Sequence, residues 1–128
     1  MKKIFVFLML GATVLFLNSC RTNYDALASG IHFDTMNSDT NFENFRHASN
    51  ETQISVLRDL CDAADRYFDR EVNTVNDLRE FEKRIDLLEQ YYDEAGSKSA
   101  NIASRLKDFR RKIDQMKRAL GIDVYVTK

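Results

Sequence analysis

The chemistry open to this chain rests on few side chains: two cysteines, Cys20 and Cys61, two histidines, His32 and His47, and rows of carboxylates. Cys20 stands directly after an apolar run, Ile4 to Leu17, and a short polar step, Asn18-Ser19. A packing cysteine has no reason to mark the end of such a run, so covalent attachment is the chemistry this thiol suggests. Cys61 falls on a helical apolar stripe, where a free cysteine behaves as a small buried hydrophobe. In an oxidising compartment its alternatives are an intermolecular disulfide or a reactive thiol. His32 and His47 have no cysteine partner and no second histidine at helical spacing, so the ligand pattern of structural zinc is missing and no metal or cofactor is expected. Asp59, Asp62, Asp65 and Asp69 recur along one outer helical face, the usual place for solvated charge. No glycine-rich phosphate loop is present, and no nucleophile and base pattern stands out. The sequence therefore predicts a protein without catalytic residues.

Met1-Lys2-Lys3 is a basic start, and the 14 residues that follow contain a single polar member, Thr13. A membrane-spanning helix needs about 20 apolar residues, so the run is too short to span and instead has the basic and apolar regions of a secretory signal. The residues Leu17-Asn18-Ser19-Cys20 resemble the lipobox of bacterial lipoprotein precursors, with Leu three positions before the cysteine and a small Ser just before it. The resemblance covers the first 20 residues. It implies removal of a signal peptide, 1–19, and lipid attachment at Cys20, which becomes the mature N-terminus. Each buried methylene of an acyl chain contributes about 0.8 kcal/mol, so several chains make a stable anchor. Such a protein faces the envelope. Arg21 lacks the acidic character of an inner-membrane retention signal, which points to the outer membrane with the domain in the periplasm.

These residues need elements to position them, and composition says which. The 128 residues hold no proline and four glycines, against the roughly six prolines that average usage gives, which favours long helices over a loop-rich or β-rich class. Lys plus Arg number 19 against 20 Asp plus Glu, a net charge of −1 that leaves no whole-chain argument for nucleic-acid binding. The expected fold is all-α: a small three-helix bundle built on an antiparallel helical hairpin, over 50–121. A lipidated polar tether, 20–49, precedes it and a strand-like tail, 122–128, follows. In the tether Ile31, Phe33 and Thr35 alternate with polar residues, a short strand signal. Tyr24, Ile31, Phe33, Met36, Phe42 and Phe45 are too apolar for a wholly solvated segment, so part of it should pack back.

Asn50 with Gln53 fits a capping box, and Ile54, Leu57, Cys61, Ala64 and Phe68 give a helix over 50–71. A second, capped by Asn73 or Thr74, carries Leu78, Phe81, Ile85, Leu88, Tyr92 and Ala95 and ends at Gly96. A third, starting at Ser97 or Ser99, carries Ile102, Leu106, Phe109, Ile113, Met116 and Leu120 and ends at Gly121. Paired in antiparallel order, the last two stripes have position sums of 197 or 198 throughout, with Glu82–Lys117 and Glu89–Arg110 matched on one flank. The other flank sets Tyr91 against Arg105 and, less favourably, Arg84 against Lys112.

Residues 50–95 carry a net charge of −7 and 99–120 a net of +5, so the basic helix should complement its acidic neighbours. Arg111 and Arg118, on the outer face, remain for a partner or for lipid phosphates, and Tyr125 in the alternating tail is a further contact candidate. The sequence as a whole predicts a membrane-anchored, non-enzymatic envelope protein with a protein partner, acting as a structural component, adaptor or accessory subunit. One alternative is capture of a ligand or envelope-targeting toxin, as an immunity protein does. Another is linkage to peptidoglycan through Lys128, a resemblance to the major outer-membrane lipoprotein that the breaks at Gly96 and Gly121 weaken.

Overall fold

The structure, a computed structural model, describes residues 24–122. The signal segment, Cys20 and residues 123–128 of the expected tail, Tyr125 among them, lie outside the described residues. The described residues are all-helical and form five helices: α1 (Tyr24–Ser29), α2 (Asp39–His47), α3 (Asn50–Glu71), α4 (Val75–Glu94) and α5 (Ala100–Ala119). A 3-10 turn, Phe33–Thr35, lies between α1 and α2.

Local chemistry sets the helix ends. Ser38, Ser49, Thr74 and Ser99 each cap a helix by accepting the backbone N–H three residues on, the bond that satisfies one orphan donor of a first turn. At α4 the cap is reciprocal, because the Asp77 carboxylate accepts the Thr74 N–H at 3.1 Å. The α3 cap is Ser49 where Asn50 was expected, and Gln53 is released for another task. Gly121 takes φ +76°, the left-handed conformation expected after α5, and the Ile122 N–H then reaches the Lys117 carbonyl at 2.7 Å. Gly96 differs from expectation. It is not left-handed, and a Cβ there would meet only the end of the exposed Asn50 side chain, which would have to turn aside.

Each long helix contacts the other two. Leu57, Cys61 and Ala64 from α3, Leu78, Phe81, Ile85 and Leu88 from α4, and Ile102, Leu106, Phe109 and Ile113 from α5 are buried together. Burying a side chain of this size stabilises by about 1.5–3 kcal/mol. The buried face of α3 is wider than its expected stripe. Gln53, Val56 and Leu60 form a second buried row, while Ile54 and Phe68 are only half-buried.

That second row is explained by the N-terminal segment. Over 24–49, the described part of the expected tether, α1, the 3-10 turn and α2 cover the long helices: the packing back expected of part of it extends through most of it, and the strand signal at 31–35 is corrected to a 3-10 turn. Ala28, Ile31, Phe33, Met36, Phe45 and Ala48 all belong to the core. Tyr91, 0% exposed, receives the Phe42 and Phe45 rings edge-on at 5.1 and 5.0 Å, and its hydroxyl donates to the Met36 carbonyl at 2.9 Å. The polar composition concealed this layer because its two helices have only six and nine residues, too short to hold alone, and their stability comes from apolar groups docked on α3 and α4.

Phe45 gives the clearest contrast between a layer and a tether. In urea denaturation Phe45→Ala should cost about 3–5 kcal/mol, the range for emptying a buried aromatic site, whereas a solvated tether would leave the midpoint unchanged.

Candidate functional site

Of the residues to which the sequence assigned contacts, Arg111 and Arg118 are described and lie on the basic face of α5; a second surface surrounds Tyr24, the first described residue. At the second, Asp25 fastens α1 to the start of α3. One carboxylate oxygen accepts the Ser49 backbone N–H at 2.7 Å and the other accepts the Ser49 hydroxyl at 3.0 Å. The backbone bond foremost, then the hydroxyl bond, hold the Asp25 carboxyl below its ordinary value. A carboxylate at a helix N-terminus is also favoured by the helix dipole. This clamp was not foreseen. Its sequence signal was Ser49, as good a cap residue as Asn50, but nothing in spacing points 24 residues back to Asp25.

Beside the clamp, Tyr24 lies against His47 with ring centroids 5.0 Å apart, and His47 approaches Glu43 at 3.5 Å. Tyr24 and Leu27 are 41% and 50% exposed, the exposed large hydrophobic residues among those described. They are three positions apart on α1, hence on one face. Among the described residues no helix is long and apolar enough to cross a membrane.

On α5, the basic side chains are largely taken up by α3 and α4. Arg105 bridges Asp62 and Asp65 at 2.8 and 2.7 Å, Lys112 reaches Asp65 at 3.2 Å, and Lys117 reaches Glu82 at 3.0 Å. Arg110 binds Asp86 and Glu89 together. Burial raises the Asp65 pKa, but the bonds from Arg105 and Lys112 outweigh it and leave that carboxyl below its ordinary value. Arg111 and Arg118 are both exposed, as expected of leftover cations, and Arg111 pairs within its own helix with Asp108 at 2.9 Å. Arg111 also lines an open groove of about 300 Å³ with Asp65, Arg105, Asp108, Phe109, Lys112 and Gln115. Arg118 is not on that groove, so the two arginines are not brought to one pocket.

The remaining chemistry is quiet. Cys61 is fully buried, and burial pushes its thiol up to about 11 against the weaker opposing field of Arg105. Burial likewise pushes the Tyr91 hydroxyl up to about 12. Among the described residues no three His, Cys, Asp or Glu side chains gather as a metal set, and no buried side-chain nitrogen or oxygen lacks a partner.

The sign of the Asp25 shift fixes a pH dependence. Its folded pKa lies below the unfolded value of about 3.9, so its contribution to stability is present above that pH and is lost as pH falls through the folded pKa. In denaturation midpoints followed against pH, wild type should exceed Asp25→Asn at neutral pH and the gap should close below about pH 4. No family model, curated protein or solved structure matches this chain.

Proposed function

We propose that the chain is a lipid-anchored protein of the bacterial cell envelope, a non-enzymatic structural, adaptor or accessory component that works through protein contacts. The observation that carries this reading is the run Leu17-Asn18-Ser19-Cys20 at the end of a short apolar segment, placed just ahead of a helical body that starts at Tyr24. Acylated Cys20 supplies the membrane attachment, and Arg21 favours the outer membrane with the body in the periplasm. The last two long helices are read as an antiparallel hairpin. The Lys117–Glu82 and Arg110–Glu89 pairs and the contact of the Phe81 and Phe109 rings, 6.1 Å apart, support that arrangement.

A partner-binding role draws support from the exposed Arg111 and Arg118, which the internal ion pairs of α5 leave toward solvent. Capture of an envelope-targeting toxin is the second reading, and the charged groove beside Arg111 favours it.

Metabolic labelling with an alkyne-tagged fatty acid checks the anchor. Wild type should take up label and sediment with membranes, and Cys20→Ala should do neither; equal labelling of the two would contradict the reading.

A further inference from the structure

We propose that the Tyr24 and Leu27 face of α1 is seated on the lipid surface that holds the acyl chains, so that the body lies against the bilayer rather than standing off it. This deepens the lipoprotein reading and rests on it. The first ground is reach. Only residues 21–23 separate Cys20 from Tyr24, so the two Cα atoms are at most about 14 Å apart even when the chain is fully extended. The headgroup layer on one side of a bilayer is roughly 5–7 Å deep, which leaves the start of α1 within about two such layers of the anchor.

The second ground is rigidity. Helix α1 cannot swing freely on that short leash, because Asp25 holds it to Ser49 at the start of α3 and Ala28 is packed into the core at 0% exposure. The orientation of α1 is therefore that of the whole body. The third ground is the surface itself. Tyr24 and Leu27 are the exposed large hydrophobics among the described residues, they occupy the helix nearest the anchor, and they share one face of it. A tyrosine with an apolar ring and a polar tip beside a leucine suits the boundary between headgroups and acyl chains. A two-residue patch would bind vesicles poorly alone, but the linked acyl chains turn its contact into an intramolecular one at high effective concentration.

The sequence contains no tryptophan, so Leu27→Trp places a single reporter on this face and Gln115→Trp places one on the exposed surface of α5. The acylated full-length variants are reconstituted in vesicles of phosphatidylethanolamine and phosphatidylglycerol, with and without lipids brominated near the headgroup end of the acyl chains. A face buried 5–10 Å into the interface should show a blue-shifted Leu27→Trp emission, quenched roughly threefold or more by bromolipid relative to Gln115→Trp. Tyr24→Trp should behave as Leu27→Trp does, which guards against a local disturbance at either site. Flotation with the vesicles but no quenching at either position would overturn the seating and leave the anchor standing. A blue shift insensitive to bromolipid but dependent on protein density would put a second copy on this face and also overturn it. Absence of both acyl label and flotation would overturn the anchor reading and the seating together.

Discussion

A single buried side-chain amide, that of Gln53, ties the N-terminal layer to the turn between α4 and α5, adding a fixed polar link to the apolar packing that joins them. Gln53 is 2% exposed in the first turn of α3, and its Nε2 donates to the Phe45 carbonyl at the end of α2 at 2.8 Å. Its Oε1 accepts the Gly96 N–H, between α4 and α5, at 2.9 Å. Each group left unpaired in such a site costs about 1–3 kcal/mol, so the amide constrains both loops at once. The constraint extends to neighbouring residues. Gly96 lies close beside the Asn50 side chain, and the end of α2 must turn directly into the Ser49 cap of α3. The N-terminal layer is thereby keyed to the far ends of α4 and α5 as well as to the surface it covers.

The long helices were legible because apolar spacing and nearby cap residues point to nearly the same bounds, even though the α3 cap and part of its buried face differ from expectation. The bounds of α3 match the 3 and 4 spacing from Asn50, and the flank pairs Glu82–Lys117 and Glu89–Arg110 are present as their position sums required. The untidy flank was the readable sign of what was missing. Arg84, set by register against Lys112, instead binds Asp34 and Glu80 and lies over the Phe33 and Tyr67 rings at 5.3 and 4.7 Å. Lys112 turns to Asp65, and Tyr91 bonds Met36. Three of these partners, Phe33, Asp34 and Met36, come from the segment taken as a tether. Its six apolar residues hinted at this, but alternation at 31–35 suggested a strand where burial of Ile31 and Phe33 is met by a 3-10 turn. Long-range docking of short helices has no period to read.

The candidate site was legible in part. The exposure of Arg111 and Arg118 follows from their place on the outer stripe of α5, whereas the Asp25 clamp and the exposed face of α1 depend on contacts that sequence spacing does not record. Charge complementarity explains why a chain with +5 and −7 segments keeps few free cations on α5: Arg105, Arg110, Lys112 and Lys117 all answer carboxylates of α3 or α4. Among the described residues the buried polar side chains are satisfied and Cys61 is buried, and the proposed lipid attachment would decide which surface is free to meet a partner.

Residues 24–48 form one folded unit with α3 to α5. Native-state hydrogen exchange of the full chain measures that directly. The amides of Ala48 and Gln53, bonded to the Phe45 and Ser49 carbonyls, should share the protection of core amides such as Ile85 and Phe109 and lose it in the same cooperative opening. Exchange across 24–48 at the rate of an unstructured chain, with α3 to α5 still protected, would contradict it.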